Sequence, residues 1–231
     1  MKYGCVIFDL DGTLLNTLDD LKNAVNAALA MRGYAPRTQE EVRLFVGNGV
    51  AKLIERAVPE GTSAEEAAAI LADFREYYNA HLNVETHPYA GIAALLGKLR
   101  AAGVKVGVNS NKYDAAVQLL MNDHFPGLFD KAVGESAAVP KKPSPIGVET
   151  LLKALGADAE SAVYVGDSGV DEQTAKNAGL PFIWSRGASA RRRKCRSCRK
   201  TAQRTPRSWK GCCWDSGKDA PTRDAGGRLM F

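Results

Sequence analysis

Val6-Ile7-Phe8-Asp9-Leu10-Asp11-Gly12-Thr13 is a short apolar run that ends in two carboxylates two residues apart, with a glycine directly behind them. The run from Tyr3 to Phe8 is too short and too sharply bounded for a helix. A continuous apolar stretch of this length suits a strand buried on both faces. Asp9 then falls at the carboxyl end of a central parallel strand, where open α/β sheets place their chemistry.

Two carboxylates held this close repel one another and raise each other's pKa unless a cation lies between them. Magnesium suits such a place, being a hard cation that takes few protein ligands and leaves coordination sites for water and phosphate oxygens. Solvated loop or cap residues would need no cation, and Asp-x-Asp-Gly alone leaves both readings open.

Outward from this stretch, residues 17–82 read as helical and rich in alanine, with Leu18, Leu21, Val25, Ala28 and Leu29 at helical spacing. Thr38-Gln39-Glu40-Glu41 and Ser63-Ala64-Glu65-Glu66 each fit the capping box, in which a hydroxyl and an acid three residues later satisfy the free amides of a helix start. Pro59-Glu60-Gly61 separates two of these helices, and Phe45-Val46-Gly47-Asn48-Gly49 reads as an interhelical turn whose glycines allow close backbone approach. After His87-Pro88-Tyr89-Ala90-Gly91 helices and strands alternate. The pattern predicts strands at Val104–Asn109, Lys131–Val133, Ala162–Val165 and Phe182–Trp184. Helices are expected at Ile92–Ala102, Asp114–Asn122, Pro145–Leu155 and Asp171–Ala178. Such alternation means an α/β fold: a doubly wound parallel-sheet core with a helical cap inserted after the first strand. The expected division is a core from 1–16 and 84–185, a cap from 17–83 and a separate tail from 186–231.

Three further clusters sit at expected strand ends or helix starts. Ser110-Asn111-Lys112 follows the strand Val104–Asn109, where a small hydroxyl and fresh backbone amides make a phosphate contact, or equally cap the next helix. Lys141-Lys142-Pro143-Ser144-Pro145 opens a helix; Lys141 reads as a solvated basic turn, whereas a lysine followed by proline can reach back as a point charge. Val163-Tyr164-Val165-Gly166-Asp167-Ser168-Gly169-Val170-Asp171 repeats the opening arrangement of an apolar strand ending in acid, although Asp171 would serve equally as a helix cap. His81, His87 and His124 form no ligand spacing with one another.

Taken in order, these four motifs resemble those of the haloacid dehalogenase superfamily of phosphatases, over residues 3–185. Leu15-Asn16-Thr17 after the first motif looks most like the phosphoglycolate phosphatase branch. The resemblance implies that Asp9 is the nucleophile, Asp11 the general acid and base, and Lys142 the catalytic lysine. It implies a magnesium ion held by Asp9, the Asp11 backbone carbonyl and Asp167, with Asp171 behind them, and phosphate contacts from Gly12, Thr13, Ser110 and Asn111. In the cap, a similar glycine-bearing turn faces the substrate in this branch, which gives Asn48, and with it Lys52, a substrate-side role. The expected partner is a small phosphorylated metabolite, with 2-phosphoglycolate the best single candidate. A pyrophosphatase or a sugar-phosphate mutase would use the same four motifs. The dehalogenase reaction itself needs neither Asp11 nor a metal.

Charge divides the chain. Residues 1–185 carry 17 Lys and Arg against 23 Asp and Glu, a net −6, whereas 186–231 carry 14 against 3, a net +11. Only Cys5 of the five cysteines lies before residue 186, as expected for a reducing compartment. The amino terminus leads straight into the first strand without a leader pattern, and no run approaches the ~20 apolar residues of a membrane span. A soluble cytoplasmic protein without a membrane partner is expected.

The segment 186–231 contains no Val or Ile and cannot build a core, so it is expected to be disordered. As a basic appendage it would bind nucleic acid only nonspecifically, and the chain could then be an inactive relic whose tail does the binding. Cys195-x-x-Cys198 is half of a zinc site, but adjacent Cys212 and Cys213 make a poor second half. The favoured origin is a frameshift. Residues 204–214 back-translate with GC-rich codons so that a shifted frame reads Asp-Thr-Pro-Glu-Leu-Glu-Gly-Leu-Leu-Leu, an acidic, leucine-rich helix start.

Overall fold

The computed structural model describes residues 3–185 and the backbones of three two-residue strands at 213–214, 222–223 and 229–230. Strand β1 (Cys5–Phe8) lies at the centre of a sheet with β4 (Lys105–Tyr113) on one side and β6 (Ala162–Gly166) on the other. Beyond them lie β5 (Lys131–Glu135) next to β4 and β7 (Phe182–Ser185) next to β6, all parallel. All four residues of β1 are buried. Val6 and Phe8 join the larger apolar cluster, which includes Leu96, Val117 and Leu120, while Cys5 and Ile7 join a second with Val148, Leu151 and Ala175. A strand with no solvent face must be apolar at every position, and that is why the opening run does not alternate. The first cluster draws on α5 (Ile92–Ala101) and α6 (Asp114–His124), the second on α7 (Ile146–Leu155) and α8 (Gly169–Asn177), so helices cover both faces of the sheet.

Between β1 and α5 the chain makes four cap helices, α1 (Leu18–Ala30), α2 (Gln39–Phe45), α3 (Val50–Ala57) and α4 (Ala64–His81). Leu21, Val25, Ala28 and Leu29 of α1 and Ile70, Phe74 and Tyr78 of α4 are buried in one apolar cluster. Burial of each large side chain contributes about 1.5–3 kcal/mol. The capping box at Thr38 closes in both directions through Glu41, whereas at Ser63 the hydroxyl accepts from the Glu66 amide.

Two devices tie the cap to the core, and neither has a pattern long enough to read in the sequence. Strand β2 (Leu15–Asn16) entering the cap pairs antiparallel with β3 (His87–Pro88) leaving it. Asp20, buried in the first turn of α1, accepts hydrogen bonds from the amides of Val84, Glu85 and Thr86 at 2.9–3.1 Å and from the Thr86 hydroxyl at 2.7 Å.

Strand β4 runs four residues further than the apolar pattern indicates, with an irregular register against β5 between Asn109 and Tyr113, so Ser110-Asn111-Lys112 lies within the strand. Helix α8 starts at Gly169, capped by Ser168, which makes Asp171 its third residue. In the tail, β8 (Cys213–Trp214) pairs in parallel with the outer edge of β7, and β9 (Thr222–Arg223) pairs with β10 (Leu229–Met230), while the expected disorder of 186–231 concerns segments that otherwise lie outside the described residues. The expectations of nucleic-acid binding, a half zinc site and a frameshift otherwise lie outside the described residues. Among the described residues, no helix is long and apolar enough to cross a membrane.

Candidate active site

The carboxyl ends of β4, β1 and β6 are adjacent in the sheet, and residues in or just beyond them converge on one place. Asp9 comes from β1, Ser110 from β4, Asp167 from β6 and Lys142 from the loop before α7. Lys142 is buried and its ammonium bridges two carboxylates, 2.6 Å from Asp9 Oδ1 and 2.7 Å from Asp171 Oδ1. Asn111 holds the Lys142 backbone, its Oδ1 accepting from the Lys142 amide at 2.6 Å and its Nδ2 donating to the Lys142 carbonyl at 3.4 Å. The second oxygen of Asp171 accepts from the Ser168 amide and hydroxyl, so this one carboxylate both caps α8 and aims the lysine.

Asp9, Asp167 and Asp171 each bring a carboxylate oxygen within 4.8 Å of the others. Burial raises the Asp9 carboxyl well above its usual range, and Asp171 and Asp167 add to this while Lys142 opposes it. Burial alone would lower the Lys142 ammonium, but Asp171 and Asp9 outweigh that and raise it well above its usual value. With all four groups ionised, three carboxylates against one ammonium leave a net charge of −2. A divalent cation with a preference for oxygen donors fits that deficit and that donor set. Asp171 is fully buried behind Lys142 and does not reach the cavity wall, whereas Asp9 and Asp167 line it and are the side chains able to hold such an ion.

Glycine at position 12 makes this approach possible. Its φ is +84°, and a Cβ there would stand 2.5 Å from a carboxylate oxygen of Asp167.

Asp11 points elsewhere. Its Oδ1 accepts from the Thr17 hydroxyl at 2.7 Å and pairs with the Lys112 ammonium at 3.2 Å, and Ser110 Oγ lies 3.4 Å from Oδ2. The two carboxylates of the opening motif are thus divided between an acidic cluster and a hydrogen-bonded station beside it. Both face a cavity of about 370 Å³ between core and cap, whose cap side is formed by residues such as Leu21, Arg43, Gly47, Val50 and Phe74.

A family model of haloacid dehalogenase-like hydrolases matches residues 6–185. The chain belongs to the haloacid dehalogenase-like hydrolases. A phosphoglycolate phosphatase of Cereibacter sphaeroides is 39% identical over 181 residues, 77% of this chain and 82% of the relative. One of Caulobacter vibrioides is 36% identical over 182 residues, 77% of each. Among solved structures, one from Lactobacillus delbrueckii subsp. bulgaricus that carries the phosphoglycolate phosphatase name superposes with a TM-score of 0.81. It is 33% identical, and the match covers 94% of this chain and 97% of that one. CbbY from Rhodobacter sphaeroides, solved with xylulose-(1,5)-bisphosphate, has a TM-score of 0.63 at 27% identity, over 79% of this chain and 86% of its own.

Within this hydrolase, the structure brings Asp9, Asp11, Gly12, Ser110, Asn111, Lys142 and Asp167 to the cavity wall and buries Asp171 behind Lys142. Four residues are placed away from their expected settings. Asn48 is exposed and its side-chain oxygen accepts from Arg56 at 3.0 Å; the turn reaches the cavity through Gly47 and Gly49 instead. Lys52 pairs with Glu55 on the surface. Thr13 is buried off the cavity wall, and its hydroxyl has no hydrogen-bond partner among the described residues. Lys141 is no freely solvated turn residue: it pairs with Glu135 at 3.1 Å and packs its stem near Gly49 of the cap.

The structure also adds residues that sequence reasoning passed over. Lys112 stands in the quoted Ser110-Asn111-Lys112 motif, but nothing in a lone lysine at a strand end announces that its ammonium is buried. Tyr78 of α4 donates nothing to a readable motif, yet its hydroxyl accepts from Lys112 at 2.6 Å. Arg43 lines the cavity with Nη1 on Glu40 and a buried Nε that has no partner among the described residues.

Proposed function

We propose that this hydrolase is a magnesium-dependent phosphatase of a small phosphomonoester, best matched by 2-phosphoglycolate, acting through an aspartyl phosphate on Asp9. The observation that carries the reading is the buried Asp9–Lys142–Asp171 chain beside Asp167, a nucleophile with its counter-charge and a place for a divalent cation. The names of the relatives support the substrate.

Both hydrogen bonds that Asp9 accepts from described residues, from Lys142 and from the Leu10 amide, fall on Oδ1. Oδ2 is therefore the oxygen presented to phosphorus. Asp9 and Asp167 would hold magnesium with the Asp11 backbone carbonyl. When bound, it supplies positive charge against the phosphoryl oxygens, where this chemistry depends on positioning and charge neutralisation. Lys142 and Ser110 bind the transferring phosphoryl group. Asp11, fixed on Oδ1 by Thr17 and Lys112, carries the mobile proton on Oδ2. That proton goes to the leaving alcohol as Asp9 forms its bond to phosphorus. Asp11 then takes a proton from the water that cleaves the aspartyl phosphate, and Asp9 is regenerated.

Hydrolysis of a phosphomonoester panel with and without magnesium tests the reading, with 2-phosphoglycolate expected to lead. Asp9→Asn, which removes a charge at nearly constant volume, should abolish turnover while the fold persists; retention of more than a few per cent of activity excludes the covalent route. The likeness to CbbY favours a second reading, a sugar bisphosphate substrate, and leadership of such a compound in the same panel would select it.

A further inference from the structure

The mechanism uses Lys112 only to fix Asp11, yet an ammonium has three donors. One goes to the Tyr78 hydroxyl at 2.6 Å and one to Asp11 Oδ1 at 3.2 Å. The third has no partner among the described residues, and Lys112 lies in the cavity wall although its side chain is only 6% exposed. The ammonium lies 4.8 Å from the centroid of the Tyr78 ring, at its hydroxyl end. A buried cation with an unused donor at a cavity wall is poised for an anion.

Resting on the phosphatase reading above, we propose that Lys112 receives a carboxylate borne on the carbon next to the leaving oxygen. The enzyme is thereby specific for phosphate esters of 2-hydroxy acids.

Distance supports this. A leaving oxygen that takes its proton from Asp11 sits about 2.6–3.2 Å from that carboxylate. In an ester of a 2-hydroxy acid the carboxylate carbon is two bonds away from the same oxygen, roughly 2.4 Å. Lys112 is itself 3.2 Å from Asp11 Oδ1, so a carboxylate next to a leaving oxygen at the neighbouring Oδ2 can come within ion-pair reach of it. A neutral substituent there would leave the third donor of a buried ammonium unmet, which penalises the wrong substrate.

The test compares 2-phosphoglycolate with 2-hydroxyethyl phosphate, nearly the same size but uncharged at that carbon, in the wild-type chain, Lys112→Met, Lys112→Arg and Arg43→Gln. The wild-type kcat/KM should favour the carboxylate at least 10-fold. Lys112→Met should collapse that ratio towards 1, chiefly through KM for 2-phosphoglycolate, and Lys112→Arg should restore part of it. Affinities measured calorimetrically in an Asp9→Asn background should follow the same ratio without turnover.

Equal losses on both compounds would reduce Lys112 to a support for Asp11 and overturn the proposal. So would a ratio that survives Lys112→Met and falls in Arg43→Gln. If Lys112→Met fails to fold, the wild-type ratio and Lys112→Arg decide: a wild-type ratio near 1 overturns the proposal while leaving the phosphatase reading intact. Failure to hydrolyse these compounds and p-nitrophenyl phosphate alike sinks the phosphatase reading itself.

Discussion

Gly12→Ala separates backbone strain from disturbance of the carboxylate cluster. Gly12 has a φ of +84°, in the left-handed region, where an L side chain costs about 1–2 kcal/mol. The added Cβ would also stand 2.5 Å from Asp167 Oδ2 and 2.9 Å from its Cγ. Non-bonded contact begins near about 3.5 Å, so the carboxylate must retreat by about 1 Å. Asp167 is buried. Magnesium demands near-ideal octahedral geometry at ligand distances of about 2.0–2.1 Å, and a displacement of that size removes a ligand.

The magnesium concentration for half-maximal activity should therefore rise at least 10-fold, read both from hydrolysis of p-nitrophenyl phosphate and from calorimetric titration. Stability should fall by about 1–2 kcal/mol, with Tm lower by about 2–4 °C per kcal/mol. Gly33→Ala is the control. Gly33 has a φ of +71°, but no atom lies within 4 Å of a Cβ built there. It should lose similar stability and keep its magnesium response. If Gly12→Ala behaves like Gly33→Ala, Asp167 does not hold the ion and the assignment of the cluster fails.

Three other outcomes follow from the geometry. Asp11→Asn should slow esters of poorly leaving alcohols about 10²–10⁴-fold while affecting p-nitrophenyl phosphate far less, because nitrophenolate departs without a proton; equal losses would remove the general-acid role. Asp20→Ala leaves three amides of 84–86 without their acceptor, and should cost at least about 3 kcal/mol in urea unfolding. A loss below about 1 kcal/mol would mean that β2 and β3 alone secure the cap. Burial, with Asp130 adding to it, pushes the Cys5 thiol up to about 11. An exposed thiol titrates near about 8.5, so the folded state binds the proton more tightly. The stability is present below that pH and drains away between it and about 11, by up to about 1.4 kcal/mol per unit. Cys5→Ala should flatten that alkaline limb in unfolding curves, and an unchanged slope would assign it to other groups.

The legible part of this molecule is the part where chemistry and chain direction coincide. A buried parallel strand must be apolar throughout and must end in a loop, so Asp9, Asp167 and the Ser110 cluster announced themselves as polar residues at the ends of apolar runs. Lys142 was legible through the proline that follows it. The cap was legible as helices but not as a surface. Asn48 and Gly47 are equally plausible from their letters, and only the packing of α3 decides that Asn48 turns to Arg56 while the glycines face the cavity. Asp20 looked like an ordinary acid in a first helical turn because its partners lie 64–66 residues away. The pairing of Leu15 with Pro88 and Asn16 with His87 involves two residues on each side, too few for any periodicity. The setting of Lys112 is not legible in its motif, since it depends on a tyrosine 34 residues earlier, on α4.

The division of labour between sheet and cap has a physical basis. A buried cluster of net charge −2 must be held rigidly, because small displacements of its carboxylates change both the repulsion among them and the fit of a cation. The strand ends of β1 and β6 and the start of α8 supply that rigidity, and no cap side chain belongs to the cluster. The cap meets the site at a different point, through Tyr78 on Lys112 and Thr17 on Asp11, the side to which the proposed mechanism gives the proton. Leaving-group identity is sensed where the leaving group is protonated, whereas the phosphoryl end is common to all substrates. A cap attached to the Asp11 side can therefore change what is hydrolysed without disturbing how phosphorus is attacked. That the chain enters the cap only a few residues after Asp9 and Asp11 follows from the same logic: the insertion departs from the loop that carries both carboxylates, so the pocket it forms opens onto them.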